Sequence, residues 1–347
     1  MKRIPRDPEK FEVIDLVNAV GKKSGFKIGD EEGEARILAR LSESYHKTKI
    51  NAGLLHGRRT EAMFGYVAAS LGKCKLVKQD DSGDIYAASP TLRVPDYHVV
   101  MQDGSDFYVE VKNFHQAKPL DPFQATPAYL ESLLEYAALF HKGLKLAVYW
   151  SRWNIWTLVP VEALATNGAR KEISFTEATK VNEMSSVLGD FLLATTPPLV
   201  LRLRADQSQP RQLDASGNVV FTIGAVEFYC GGQRVDDKFE KNLAFYLMLH
   251  GGWDEKPPTP EINGGRLDSI DFEYNPEEST PGQEFQMIGW LSSMASNRYN
   301  DLTLSESGVE RLSPDVEPDS LVFHIPPGHK GQRLPLWRFI VNPPKKA

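Results

Sequence analysis

Three acids and a lysine in this chain have types and spacing that suit chemistry. Asp96 follows Pro95, and Glu110 and Lys112 stand two residues apart inside the apolar run "YVEVKNF" (108–114). In an extended strand side chains alternate, so Tyr108, Glu110 and Lys112 share one face while Phe107, Val109 and Val111 share the other. Asp103-Gly104 lies between the strand-like runs Asp96–Met101 and Asp106–Lys112, which predicts a hairpin and gives Asp96 a route to Glu110. Two close carboxylates repel and raise one pKa, and a divalent cation removes the conflict. Mg²⁺ takes hard oxygen ligands and keeps several waters, so Asp96, Glu110 and the Val111 carbonyl are the candidate ligands. A metal lowers the pKa of its water and neutralises phosphate charge. Lys112 would orient or deprotonate that water, or stabilise charge on the phosphate. An isolated E-x-K in a strand is usually a solvated face. Here Pro95-Asp96 one hairpin upstream, the apolar setting and a preceding helix with Glu61 shift the balance towards a site.

The elements that must position these groups are legible around them. Apolar stripes at Val13, Leu16, Val17, Val20 and at Ile37, Leu38, Leu41 predict two helices. "NAGLLHGRR" (51–59) reads as a linker, followed by a helix from Thr60 to Leu71 that stops at Gly72. Short strands are expected at Lys75–Gln79 and Ile85–Ala88, ahead of the hairpin. Thr126 then caps a helix to His141, with Pro127 as its first residue. "LKLAVYWS" (144–151) and "NIWTLVP" (154–160) read as buried strands joined by a tight turn, with Trp153 exposed at its tip. A helix is expected over Thr176–Leu188, and the paired prolines of "TTPPLVLRLR" (195–204) mark a boundary. Beyond it come a strand over Val219–Cys230, a helix over Asp237–His250, a loop over Lys256–Gly265 and a strand over Ser269–Tyr274. A helix over Phe285–Ser296 and strands at Leu321–Ile325 and Leu334–Val341 close the chain. Mixed helix and strand throughout gives an α/β class.

The chain resembles the PD-(D/E)XK nuclease superfamily, the restriction-endonuclease-like fold. The likeness rests on "PD" at Pro95–Asp96, "EVK" at Glu110–Lys112, an acid in the upstream helix "GRRTEAMFGYVAASLG", and a following helix and two strands. It spans roughly residues 57–200 in order of elements. The resemblance implies a central mixed sheet flanked by helices and Mg²⁺-dependent hydrolysis of DNA phosphodiesters, with Mn²⁺ as a substitute ion. It implies metal ligation by Asp96 and Glu110, the catalytic lysine role for Lys112, and an accessory acid in Glu61. For Glu61, a helix N-terminal acid favoured by the macrodipole is the competing explanation. Exonuclease branches carry Gln-x-x-x-Tyr on the next helix. Here Gln124 and Tyr129 stand five apart across Pro127, so that role is not carried over. Gln124 then reads as a surface loop residue, and Tyr129 and Tyr136 as core.

The expected organisation is a helical extension (1–56), a nuclease core (57–200) and an α+β accessory domain (201–347). Net charge is −6, which argues against a surface that grips nucleic acid everywhere but not against a local basic cleft. Residues 1–75 hold 15 Lys and Arg against 10 Asp and Glu, so this end is locally basic. Arg58 and Arg59, and also Lys73 and Lys75, are the candidate phosphate contacts there, with Asn113 and His115 after the motif. His98 shares parity with Asp96, although a structural histidine is the commoner case. "GHKGQR" (328–333) is basic and glycine-rich without the strand-to-helix pattern of a phosphate loop. Two cysteines, Cys74 and Cys230, give no disulfide framework and suit a reduced, cytoplasmic setting. The start lacks the apolar core of a secretory signal, and no apolar run is long enough to span a bilayer. The expected activity is an endonuclease acting on DNA rather than RNA, in genome defence or DNA processing. Its partners would be a second copy or a protein held through the C-terminal domain. The alternative is a non-catalytic nucleic-acid-binding or assembly module that keeps the fold.

Overall fold

The computed structural model describes residues 1–3, 12–27, 31–80, 85–318, 325–326 and 328–341. Most of the strand expected at Leu321–Ile325 lies outside these residues. Three helices lead: α1 (Glu12–Ser24), α2 (Glu31–Lys49) and α3 (Ala52–Ser70). The first two follow their apolar stripes, although Val13, Leu16 and Leu38 remain exposed. The third corrects the expected linker over 51–59. Asn51 caps it, its side chain accepting from the Leu54 amide at 3.1 Å, so the helix starts well before Thr60. Gly53 and Gly57 each cost about 1 kcal/mol inside a helix. Complete burial of Met63, Phe64 and Val67 further along outweighs them, at roughly 1.5–3 kcal/mol per large side chain. Gly72, at φ +80°, ends the segment in the left-handed region.

The central sheet is built from β1 (Cys74–Gln79), β2 (Tyr97–Met101) and β3 (Asp106–Phe114). After the short β4 (Phe123–Ala125) and helix α4 (Pro127–Leu139), β5 (Gly143–Trp150) and β6 (Ile155–Pro160) complete it. Strand order is β1-β2-β3-β5-β6, with β3 and β5 parallel and the other pairs antiparallel, a mixed sheet in an α/β chain. The Asp103-Gly104 hairpin forms as its residues predict: the Met101 amide donates to the Ser105 carbonyl at 2.8 Å and Gly104 takes φ +88°. The strand expected at Ile85–Ala88 is absent, and Tyr86 there is fully exposed.

Alternation sorts the side chains into two cores. Phe107, Val109, Val111, Ala147, Tyr149, Trp156 and Leu158 pack with α3 on one face. Tyr108, Leu144, Leu146, Val148, Trp150 and Val159 pack with α4 on the other. β5 is therefore apolar on both sides, as expected for a strand between two helical layers. Trp150 and Trp156 are buried. Trp153, expected at an exposed turn tip, is half-buried with its ring 4.4 Å from that of Phe175.

Short strands β7 (Ala165–Asn167) and β8 (Arg170–Ile173) pair beside β4, leading to α5 (Phe175–Lys180). The single helix expected over Thr176–Leu188 stops at Lys180 and resumes as a wide-turned segment, Met184–Leu188, closed by Gly189 at φ +84°. Then come β9 (Leu192–Thr195), β10 (Leu199–Ala205), β11 (Ile223–Cys230), β12 (Gln233–Val235), α6 (Lys238–His250) and β13 (Asp254–Glu255). They are followed by β14 (Thr259–Asn263), β15 (Arg266–Asn275), β16 (Gln286–Trp290) and α7 (Leu291–Thr303). The pair β17 (Leu304–Ser305) and β18 (Gly308–Val309) and finally β19 (Trp337–Phe339) close the described chain. The expected loop over 256–265 contains β14. Its Pro260 is tolerated because β14 pairs on one side only, with β15. The helix expected over Phe285–Ser296 is strand β16 followed by α7, whose N-cap position is Trp290, a side chain unable to cap.

The α3-side core runs past residue 200. It includes Leu243 of α6 and Met294 and Tyr299 of α7, while β9 pairs with both β16 and β19. No helix among the described residues is long and apolar enough to cross a membrane.

Candidate active site

The β2–β3 ladder runs Tyr97↔Val109, so one further step sets Asp96 opposite Glu110 and a second sets Pro95 opposite Val111. Proline has no N–H to give, so the ladder stops there. The Asp96 side chain takes its place: Oδ2 accepts the Val111 N–H at 2.7 Å. The Val111 carbonyl leaves the strand on the same edge as its N–H, where Pro95 supplies no donor. The proline and the aspartate thus act together. One ends the pairing, and the other turns a carboxylate into the gap.

Asp96 and Glu110 are 5% and 4% exposed. Burial first, then the Glu110 charge, push the Asp96 carboxyl up to about 7. The Val111 amide works against this, and Glu61 adds to it. Glu110 Oε1 accepts from Lys112 Nζ at 2.6 Å and from the Tyr129 hydroxyl, and Lys112 Nζ also donates to Tyr129 Oη at 2.7 Å. Burial disfavours the Lys112 ammonium, but Glu110 and Tyr129 outweigh it and raise its pKa above the ordinary lysine value. Asp96 Oδ1 and Glu110 Oε2 carry no hydrogen bond among the described residues.

Tyr129 is the site residue that sequence reasoning missed. Its place in the α4 apolar pattern reads as core, yet it is only half-buried, with its hydroxyl between Lys112 and Glu110. The α4 cap delivers it there. Thr126 Oγ1 accepts the Tyr129 amide at 3.3 Å, fixing the first turn against β3. Gln124 is exposed as expected but lies on β4, donating to Glu172 at 2.8 Å.

Glu61 lies on α3, the helix of the opposite face, and pairs with Arg58 at 2.9 Å. Its helix is fastened beside Asp96 by the Tyr97 hydroxyl, which donates to the Glu61 carbonyl at 3.0 Å. Gly65 makes that approach achievable: a Cβ there would meet Tyr97 Oη at 2.9 Å. Arg58 stays on the surface. Arg59 does not, which corrects its assignment as a phosphate contact. It is 4% exposed and donates to Thr303 Oγ1 at 2.9 Å and to Asn300, binding α3 to α7. Asn113 and His115 are exposed at the end of β3, with His115 Nδ1 3.1 Å from Ser151 Oγ. His98 is structural, its Nε2 2.8 Å from Asp106 Oδ2 and its ring stacked on Tyr108. The "GHKGQR" loop does cradle an anion, but an internal one. The amides of Gln332, Arg333 and Leu334 donate to the buried Glu240 carboxylate at 2.6, 3.0 and 3.2 Å.

No group of three or more His, Cys, Asp or Glu able to hold a metal occurs among the described residues. A hard cation with few protein ligands is nevertheless compatible with the residues present. Mg²⁺ is commonly held by one or two carboxylates with water and substrate oxygens. Here two buried carboxylates repel, each keeps an oxygen open, and the Val111 carbonyl lies on the same edge.

No family model matches the chain, and no curated protein matches it significantly. Among solved structures it is similar to Hjc, a Holliday junction resolvase of Archaeoglobus fulgidus. The identity is 19%, covering 33% of this chain and 85% of that one, with a TM-score of 0.27. At that identity and score the likeness decides neither fold nor activity.

Proposed function

We propose that the chain is a metal-dependent endonuclease that hydrolyses DNA phosphodiester bonds, with its site on residues 57–200 and residues 201–347 as an accessory region. The observation that carries the reading is the buried Asp96–Glu110 pair with Lys112 bonded to it, at the place where Pro95 breaks the ladder. The motif resemblance to PD-(D/E)XK nucleases supports the same assignment. Asp96, Glu110 and the Val111 carbonyl would hold Mg²⁺, or Mn²⁺ in its place. The ion would neutralise phosphate charge and make a water easier to deprotonate.

The chain's own groups divide the remaining work. Lys112 is held as an ammonium by Glu110 and Tyr129, so it takes up negative charge on the phosphate rather than a proton from water. Tyr129 fixes the Lys112 and Glu110 side chains relative to one another. Arg58, Asn113 and His115 stand exposed where they can meet phosphate oxygens, and Glu61 adds negative charge beside Asp96. Water adds to phosphorus and gives up a proton to solvent, one bridging P–O bond breaks, and the departing oxygen takes up a proton, so the net change is hydrolysis. Calorimetric titration with Mn²⁺ tests the ligand set. The wild-type chain should give a saturable binding heat that Asp96→Ala removes. Absence of heat from the wild type would favour a binding module that keeps the motif without its ion.

A further inference from the structure

Tyr129 carries a second cation. The Arg93 guanidinium carbon lies 5.4 Å from the Tyr129 ring centroid, and Lys112 Nζ lies 4.9 Å from the same centroid. Arg93 is exposed, but its backbone is held. Its amide donates to the Ser132 carbonyl of α4 at 3.3 Å, and upstream Ser89 Oγ reaches Glu135 of the same helix at 3.5 Å. The segment that brings Asp96 to Glu110 therefore also lays Arg93 on Tyr129.

Several other cations around this sheet have acids: Arg58 pairs with Glu61, Lys78 with Asp80, Lys142 with Asp106 and Lys145 with Glu183. Arg93 has no acidic partner among the described residues. Stacking on a ring occupies the guanidinium face and leaves its edge of N–H donors open. That edge matches the oxygens of a phosphate, which it can take in a bidentate way. A held, unpaired arginine sharing a tyrosine with the site lysine is suited to an anion that arrives with the substrate.

We propose that Arg93 binds a backbone phosphate of the DNA strand next to the phosphate cleaved, so that the strand passes over Tyr129. This rests on the nuclease reading and extends it by giving the strand a path. The test compares DNA binding and cleavage. Anisotropy titrations of a labelled duplex across a salt series would use Asp96→Ala protein with and without Arg93→Gln, in Mg²⁺. Loss of Arg93 should weaken binding about tenfold and make the slope of log K against log salt shallower by about one. Arg93→Lys should restore the slope and only part of the affinity. In the otherwise wild-type chain, Arg93→Gln should raise KM about tenfold, with kcat changed far less.

An unchanged slope and affinity in Arg93→Gln would overturn the proposal, whatever happened to melting temperature or kcat, since a packing role moves those alone. The nuclease reading fails separately. DNA binding with an Arg93-dependent slope but no cleavage by the wild type would sink that reading and leave Arg93 as a DNA contact. Cleavage that is indifferent to Arg93 in KM and in slope would do the reverse. A wild-type chain that neither binds nor cuts DNA would end both.

Discussion

At the scale of residues, the Asp96–Glu110 pair sets a conflict. Two carboxylates buried opposite each other destabilise the fold wherever both are charged and no cation lies between them. Asp96→Asn keeps an oxygen for the Val111 amide and removes one charge. In EDTA at pH 8 this change should raise the free energy of unfolding by about 1–3 kcal/mol, and in Mg²⁺ it should abolish cleavage. Urea denaturation checks the first part, and a less stable variant would show that the pair is not in conflict. Residue-level legibility was uneven for a physical reason. The grouping of Asp96, Glu110 and Lys112 follows from strand alternation plus one Asp-Gly turn, both local properties of the sequence. Tyr129 belongs to the same cluster, but a half-buried tyrosine at helical spacing is indistinguishable from core until its hydroxyl's partners are known. Arg59 was misassigned because its partners, Thr303 and Asn300, lie more than 200 positions away.

At the scale of elements, short-range capping was the reliable signal and its long-range counterpart the missing one. Thr126-Pro127 placed the start of α4 correctly, and Asn51 would have placed α3 had Gly53 and Gly57 not resembled breakers. Helix α7 has no cap of its own. Asp190, which lies between the Met184–Leu188 segment and β9, supplies it from 102 residues away, accepting from the Ser292 amide at 3.0 Å and hydroxyl at 2.6 Å. Burial pushes the Asp190 carboxyl up to about 6, against the bonds from Ser292. Its pKa is thus higher folded than unfolded. Between about pH 4 and 6 the folded chain keeps a proton that the unfolded chain has lost, and stability from this group falls as pH rises through that window. Asp190→Asn removes the titration, so its cost should be greater at pH 4.5 than at pH 7.5, by roughly 1–3 kcal/mol. Equal costs in urea denaturation at the two pH values would contradict this.

At the scale of the whole molecule, the region beyond residue 200 is packed into the half that carries the candidate site rather than appended to it. Trp156 Nε1 donates to Ser296 Oγ at 2.9 Å, Asn154 reaches Ser293 and Asn297, Arg59 reaches α7, and β9 takes both its partners from the C-terminal half. The paired prolines that suggested a boundary sit between β9 and β10, and nothing local to them reveals which strands pair across. A fragment ending at residue 200 should therefore lose the α3-side core and show no cooperative unfolding transition. A fragment with a sharp transition and the full chain's near-ultraviolet dichroism would show that the first 200 residues fold alone.

The central claim is that Asp96, Glu110 and Lys112 form a phosphodiester-cleaving site. Its most direct test is incubation of circular DNA with the full chain in Mg²⁺ or Mn²⁺, beside the same reaction in EDTA and with Lys112→Ala. The wild-type chain should convert the circle to nicked and then linear forms, EDTA should stop it, and Lys112→Ala should slow it at least about 100-fold. A circle left intact by the wild type, or cut undiminished by Lys112→Ala, would contradict the account.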